Sequence, residues 1–116
     1  MTTEPLTSKG SIVSVIVFRV ADRQRQQHLI KLITDETQQI MRHQPGFLSG
    51  TIHPGLDGTS VLNYIRWRSS GDLQRALQQP EVQARIDEIE ALLIKPKEVT
   101  LYQAAASIDA PDLSMS

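Results

Sequence analysis

The sequence predicts an α+β fold of the ferredoxin-like type, with the element order βαββαβ and a four-stranded antiparallel sheet. Three observations lead to this prediction. Runs of β-branched residues alternate with amphipathic stretches, only turn residues join the two middle strands, and a length of 116 residues suits one domain. We expect the domain to span residues 11–106, between a flexible N-terminus (1–10) and a flexible C-terminal tail (107–116).

The first part of the chain predicts a central strand and a long helix. Residues 11–20 (SIVSVIVFRV) are apolar at both alternating positions, which is typical of a strand covered on both faces. Asp22 predicts the N-cap of a helix over 23–43, where apolar residues recur at three- and four-residue steps. Pro45 disfavours a helical residue before it and Gly46 frees the turn, so the helix should end there.

The middle of the chain predicts a β-hairpin. Residues 46–53 (GFLSGTIH) and 59–69 (TSVLNYIRWRS) have the composition of strands, and the segment between them, PGLDG (54–58), is rich in turn residues. Two strands joined by so short a turn pair with each other, and they therefore supply the second and third strands of the sheet.

A split helix and a last strand complete the predicted order. Ser69 followed by Asp72 resembles a capping pattern and predicts a short helix, and Pro80 suits the first turn of a second one. Residues 97–106 (KEVTLYQAAA) predict the fourth strand.

The predicted sheet has two partly apolar faces but only one layer of helices to cover them. The third strand places Asn63 and Trp67 on one face and Leu62 and Tyr64 on the other, with apolar neighbours on both. We therefore expect a homodimer in which the sheet faces meet, with Leu62 and Tyr64 in an interface above about 1,000 Å². The alternative is a twisted sheet with scattered exposed apolar residues.

Composition and charge exclude several classes of function. A net charge of −1 gives no field to attract nucleic acid, and the longest apolar run is too short for a membrane-spanning helix. The absence of cysteine excludes thiolate chemistry, and the three histidines lack the spacing of metal ligands. We therefore expect a cytoplasmic protein without a metal, a nucleic-acid partner or a membrane partner.

Residues 43–82 resemble a known family. They hold Pro-Gly-Phe at the start of a strand (45–47), Asp-Gly in the next turn (57–58), and then Asn63, Trp67 and a short helix. This order resembles the antibiotic biosynthesis monooxygenase family, and the likeness covers roughly residues 11–104. The resemblance implies a ferredoxin-like dimer, often called a dimeric α/β barrel, which agrees with the patterning.

The resemblance also implies an activity and a site. The family includes cofactor-free oxygenases that convert anthrone-type polyketides into quinones, quinol monooxygenases and haem-degrading oxygenases. In members similar to the anthrone oxygenases, an Asn and a Trp of this strand line a cleft between sheet and helices and hydrogen-bond the substrate's oxygens. Asn63 and Trp67 match those two positions, and Arg85 is the nearest match to an Arg of the split helix.

These residues lead to the hypothesis of a cofactor-independent monooxygenase. It would use O₂ to oxidise a small electron-rich aromatic, of anthrone or quinol type, to a quinone, with Asn63 and Trp67 as catalytic hydrogen-bond donors. The other expected substrate-binding residues surround the same cleft: Phe47, Ile33, Thr37, Met41, Ile65 and Arg85.

The chain departs from those oxygenases in lacking the proton-handling Tyr that shortly follows their Trp, since RSSGDLQRAL (68–77) contains none. Tyr64 has the wrong strand parity for the cleft, and Tyr102 could face either side of the sheet. His53 could reach the cleft mouth as a base, but an ordinary turn histidine is the favoured interpretation. The base is therefore unassigned, and a non-catalytic dimeric module that binds a small hydrophobic molecule stays an alternative. Asn63 and Trp67 would then be ordinary core residues.

The haem-degrading branch is less favoured. That branch needs an Asn on the first strand and a His on the helix after the Trp. Neither SIVSVIVFRV (11–20) nor SSGDLQRALQQ (69–79) supplies one.

Overall fold

The computed structural model describes residues 11–111 and shows a ferredoxin-like α+β fold, which confirms the predicted class and element order. The predicted N-terminal segment 1–10 and residues 112–116 of the predicted tail lie outside the described residues. The strands are β1 (Ile12–Arg19), β2 (Phe47–Pro54), β3 (Ser60–Trp67) and β4 (Glu98–Tyr102). The helices are α1 (Arg23–Gln39), α2 (Ser70–Leu77) and α3 (Pro80–Glu90), with a 3₁₀ turn at Met41–His43.

The sheet is antiparallel throughout and has the strand order β2-β3-β1-β4. β1 and β3 occupy its centre and pair along their whole length, from Ile12 opposite Trp67 to Arg19 opposite Ser60. Because side chains alternate between the faces, this register places one set of residues from both central strands under the helices. That set comprises Ile12, Ser14, the partly buried Ile16 and Phe18 of β1 with Val61, Asn63, Ile65 and Trp67 of β3.

Two elements end earlier than the sequence predicts. The helix predicted to reach residue 43 ends at Gln39, and the backbone then tightens into the 3₁₀ turn ahead of Pro45. The strand predicted to reach residue 106 ends at Tyr102. Its partner there is Val13, so only one residue of β1, Ile12, remains opposite the chain beyond Tyr102.

The helices begin at the predicted caps. The side chain of Asp22 accepts a hydrogen bond from the backbone N–H of Arg25 at 2.9 Å, and that of Ser69 accepts one from Asp72 at 3.2 Å. Within residues 11–111, no helix combines the length and apolar character needed to cross a membrane.

The end of β3, where Trp67 lies, is held by a buried carboxylate. Asp72 is 1% exposed and accepts two hydrogen bonds from Arg68, at 2.9 and 3.0 Å, and one from Ser69 at 2.9 Å. These bonds hold the pKa of Asp72 well below its usual range. Gly46 packs against it with φ +89°, and its carbonyl accepts from the N–H of Arg68 at 2.8 Å. The turn before β2 is thereby tied to the residue that follows Trp67.

Candidate active site

A cavity of about 380 Å³ lies between the sheet and the helices. Side chains of β1 and β3 form its floor, and α1, α2 and α3 supply its walls. It separates the buried hydrophobic residues into two clusters, one around Trp67 and Leu73 and the other around Leu29 and Val61. Ligand pockets typically have volumes of about 300–1,000 Å³, so the cavity can take a small molecule.

Asn63 and Trp67 bring unpaired hydrogen-bond donors to this cavity. Trp67 is fully buried, and its indole N–H has no hydrogen-bond partner. Asn63 is 5% exposed, and no group within residues 11–111 forms a hydrogen bond with its amide. Leaving a buried donor unpaired costs about 1–3 kcal/mol. The two residues are therefore not part of a filled core in which both donors are hydrogen-bonded. A bound molecule with acceptor oxygens would supply the missing partners.

Three of the predicted wall residues line the cavity together with the two donors. Ile33 contributes from α1, Met41 from the 3₁₀ turn and Ile65 from β3. All three are almost fully buried and apolar. The cavity therefore combines an apolar lining with a few polar groups, which is the usual composition of a site for an aromatic ligand.

The structure places three other residues predicted to bind substrate outside the lining of this cavity, which differs from the position expected for them. Phe47 lies behind Trp67, in an edge-to-face contact with ring centroids 5.6 Å apart, because β2 pairs it directly opposite that residue. Arg85 turns away along the helices, where its guanidinium donates to the side chain of Gln39 at 3.1 Å. Thr37 lies on α1 beside the lining rather than in it.

The remaining candidate bases from the sequence lie on the opposite face of the sheet. His53 pairs with Leu62 and Tyr102 pairs with Val13, and both positions alternate away from the helix-covered face. Tyr64 also points away, as predicted. His53 therefore faces away from the cavity, which contradicts the less favoured alternative that it serves as a base at the cleft mouth.

Sequence reasoning missed a carboxylate in the cavity. Glu36 of α1 is 6% exposed and lines the same space as the two donors. Burial raises the pKa of its carboxyl group to about 6, against smaller lowering effects of the Thr37 hydroxyl and the charge of Arg85. The available signal was spacing, since Glu36 falls three residues after Ile33 on the apolar stripe. The neighbouring Thr37 fits the same three- and four-residue steps, so the helical pattern does not distinguish it from Glu36.

A buried hydroxyl on the cavity floor was missed as well. Ser14 of β1 is 3% exposed and lines the cavity. It interrupts an alternating series of larger apolar residues on the same face, Ile12, Ile16 and Phe18, and this interruption was its signal in the sequence. A small side chain there leaves room between the two hydrophobic clusters.

Charged side chains mark one side of the cavity. Asp87 and Glu90 of α3 and Lys97, just before β4, contribute to the lining, and the ammonium group of Lys97 pairs with the carboxylate of Glu90. Between residues 11 and 111, no three His, Asp or Glu side chains come together as metal ligands would.

Comparison with known proteins identifies relatives of this chain. Residues 11–88 match the model of a family described as antibiotic biosynthesis monooxygenase. Tetracenomycin-F1 monooxygenase of Streptomyces glaucescens is 38% identical over 76 residues, which cover 63% of this chain and 64% of that protein. The chain thus spans slightly less than two thirds of the length of this relative.

Solved structures of similar proteins share the fold. The monooxygenase from the gene ActVA-Orf6 of Streptomyces coelicolor, in complex with nanaomycin D, superimposes with a TM-score of 0.78 at 29% identity, covering 86% of this chain and 92% of that one. SnoaB, a cofactor-independent oxygenase from Streptomyces nogalater, gives a TM-score of 0.73 at 22% identity over 87% of this chain and 99% of that one. At this lower identity the likeness to SnoaB shows the fold alone.

Proposed function

The chain belongs to the antibiotic biosynthesis monooxygenase family, and on that premise we propose that it is a cofactor-independent monooxygenase that oxidises an electron-rich aromatic to a quinone. The observation that carries the proposal is the pair of unpartnered donors, Asn63 and Trp67, inside an apolar cavity. Relatives named as monooxygenases support the class of reaction. The proposed substrate is a small aromatic of anthrone or quinol type, and the co-substrate is O₂.

The reaction uses the electrons of the substrate itself. An anthrone loses a proton from its methylene carbon, and the carbanion passes one electron to O₂. Superoxide and the carbon radical then combine, forming a C–O bond, and the peroxide anion takes up a proton. Loss of the second C–H proton breaks the O–O bond and releases water, which leaves a carbonyl at the former methylene carbon. One O₂ is consumed and one water is formed for each quinone.

The described residues suit the first step of this reaction. Deprotonation of the methylene carbon moves negative charge onto the substrate's carbonyl oxygen. The amide of Asn63 and the indole N–H of Trp67 would donate to that oxygen. Donors held in place at a developing oxyanion each contribute on the order of 10²-fold to the rate. The apolar walls would hold the flat ring and keep bulk water away from the carbanion.

Turnover in air tests this proposal. The purified protein, without added flavin and in the presence of a chelator, is expected to accelerate the conversion of anthrone to its quinone, followed by absorbance together with O₂ uptake. Heat-denatured protein supplies the background rate. A panel of anthrones and quinols that all react at the background rate would contradict the proposal and leave the non-catalytic binding module in its place.

We also propose that the protein is a homodimer joined through the open face of the sheet. Opposite the helices, β1 presents Val13, Val15 and Val17, and β3 presents Leu62 and Tyr64 beside them. Tyr64 is 36% exposed although it lies on a central strand. Covering such an apolar face with a second copy is the simplest symmetric solution.

Replacing Tyr64 is expected to weaken this dimer. Light scattering at micromolar concentration should give twice the chain mass of 13.0 kDa for the unmodified protein. Tyr64→Asp should shift the mass towards that of a single chain, because it places a charge in the apolar contact. Leu56→Asp is the control, since Leu56 is 99% exposed at the hairpin turn. A monomeric unmodified protein would refute the dimer.

A further inference from the structure

We propose that Glu36 is the base of this site: its carboxylate accepts the proton that the aromatic substrate loses before it reacts with O₂. The inference rests on the proposed function and supplies the proton-handling group that the sequence leaves unassigned. Its grounds are the place of Glu36 in the cavity, the sparse hydrogen bonding of its carboxylate and the charges around it.

The first ground is position. Glu36 lies on the helical wall of the cavity, whereas Asn63 and Trp67 lie on its sheet floor. A flat substrate held between wall and floor can present a carbonyl oxygen to the two donors and an acidic C–H or O–H to the carboxylate. The carboxylate of Glu36 can then take the proton while the donors of Asn63 and Trp67 stabilise the resulting anion.

The second ground is that the carboxylate has no structural role that would occupy it. Its Oε2 atom is buried without a hydrogen-bond partner. Its Oε1 atom has a single contact, with the hydroxyl of Thr37, at the long distance of 3.5 Å. A buried carboxylate is costly, and structural ones are normally paired or well hydrogen-bonded. Glu36 therefore resembles a group kept ready for a ligand.

The third ground is electrostatic. Arg85 of α3 is the cation whose charge acts on Glu36, and its guanidinium is already bonded to Gln39. Asp87 and Glu90 of α3 also line the cavity and add negative charge, while Lys97 pairs with Glu90.

The sheet floor adds no charge to this site. Its polar lining residues, Ser14, Asn63 and Trp67, are all neutral, so desolvation is the largest influence on Glu36. The pKa of about 6 that results lets Glu36 be ionised at neutral pH and still hold a proton well, as a general base requires.

The carboxylate would take part in the reaction as a proton shuttle. It accepts the first methylene proton, which leaves the electron pair on the substrate carbon. It returns that proton to the peroxide anion after the C–O bond has formed. It then accepts the second C–H proton as the O–O bond breaks, and passes it to the departing hydroxide to form water. Glu36 ends the cycle ionised, as it began.

Hydrogen exchange without O₂ isolates the first of these steps. Anthrone is incubated with the purified protein in D₂O under anaerobic conditions, and deuterium uptake at its methylene carbon is followed by NMR above the protein-free background. The unmodified protein is expected to accelerate uptake, with a rate that rises with pH through about 6. Glu36→Gln should lower the protein-dependent rate by about 10²-fold or more and remove that pH dependence.

The matched control is Asp35→Asn, which removes the neighbouring carboxylate of α1. Asp35 is paired with Lys31 at 3.1 Å and does not line the cavity, so its loss should leave the exchange rate unchanged. Glu36→Asp keeps the carboxylate on a shorter side chain and should retain part of the rate. A thermal melt of each variant separates loss of the base from loss of the fold.

The outcomes for Glu36 and for the oxygenase are distinguishable. Exchange that depends on Glu36, without quinone formation in air, would support the base and refute the oxygenase. Quinone formation with exchange that is unaffected in folded Glu36→Gln would refute the base and leave the oxygenase standing. No protein-dependent exchange by the unmodified protein would refute Glu36 as the base.

Discussion

Trp67→Phe is expected to slow quinone formation by about 10²-fold while changing the free energy of unfolding by no more than about 1 kcal/mol. The substitution keeps an aromatic ring against Phe47 and removes an indole N–H that has no partner in the fold. Losing an unsatisfied buried donor offsets part of the packing that the smaller ring gives up. The donor matters only when a substrate oxygen faces it, so activity should fall far more than stability.

Asn63→Leu extends this test to the second donor. Asn63 faces the cavity and its amide has no hydrogen-bond partner within residues 11–111, so an apolar side chain of similar size should be tolerated by the fold while turnover falls. Gln38→Leu is the control, because it removes an amide from the exposed surface of α1. Thermal melts and quinone formation are measured for all three variants. If Trp67→Phe and Asn63→Leu each destabilise by about 1–3 kcal/mol and turnover falls only with the folded fraction, the two residues are core residues.

Glu36→Gln is expected to stabilise the protein by about 2 kcal/mol at pH 8. Burial raises the pKa of Glu36 from 4.5 to about 6, and each unit of difference between folded and unfolded states corresponds to about 1.36 kcal/mol. A raised pKa means that the folded state binds the proton more tightly. The contribution of this group to stability is therefore fully present below pH 4.5 and is lost as the pH rises through about 6. Glutamine carries no charge, so it avoids that loss.

Urea unfolding at two pH values measures this effect. The difference in unfolding free energy between Glu36→Gln and the unmodified protein should be near zero at pH 4 and reach its full value at pH 8. Asp35→Asn, on the same helix, should show no comparable gain at pH 8, because Asp35 is paired with Lys31 at the surface. A gain of the same size at both pH values would show that the effect comes from packing and not from ionisation.

Neither of the two substitutions is expected to lower activity by lowering stability. Glu36→Gln should make the protein more stable and slower, and Trp67→Phe should make it slower at nearly constant stability. This combination is expected when buried groups are left without hydrogen-bond partners in the free protein. Such groups destabilise the fold, and their partners are supplied only when a ligand binds.

Local sequence patterns are sufficient to predict the elements of the fold and the side chains that share a face. Alternation along residues 59–69 placed Asn63 and Trp67 together, because the period of a strand is two and a hairpin fixes its register. The caps at Asp22 and Ser69 could be predicted because a helix start needs a local acceptor within three residues. These features depend on residues that are close in sequence, so they can be predicted from the sequence.

Which parts of those faces are filled depends on how the sheet and helices pack. Glu36 and Thr37 both fit the helical steps of α1, and the packing of α3 and β3 determines that Glu36 lines the cavity. The sequence predicts Phe47 as an apolar wall of the cleft, and the resemblance implies the same site for Arg85. Pairing of β2 with β3 and a contact to Gln39 place the two residues outside the cavity lining. A periodic pattern defines a direction for each side chain. Whether that side chain packs against another residue or lines a cavity depends on residues distant in sequence, which come together only when the sheet and helices pack.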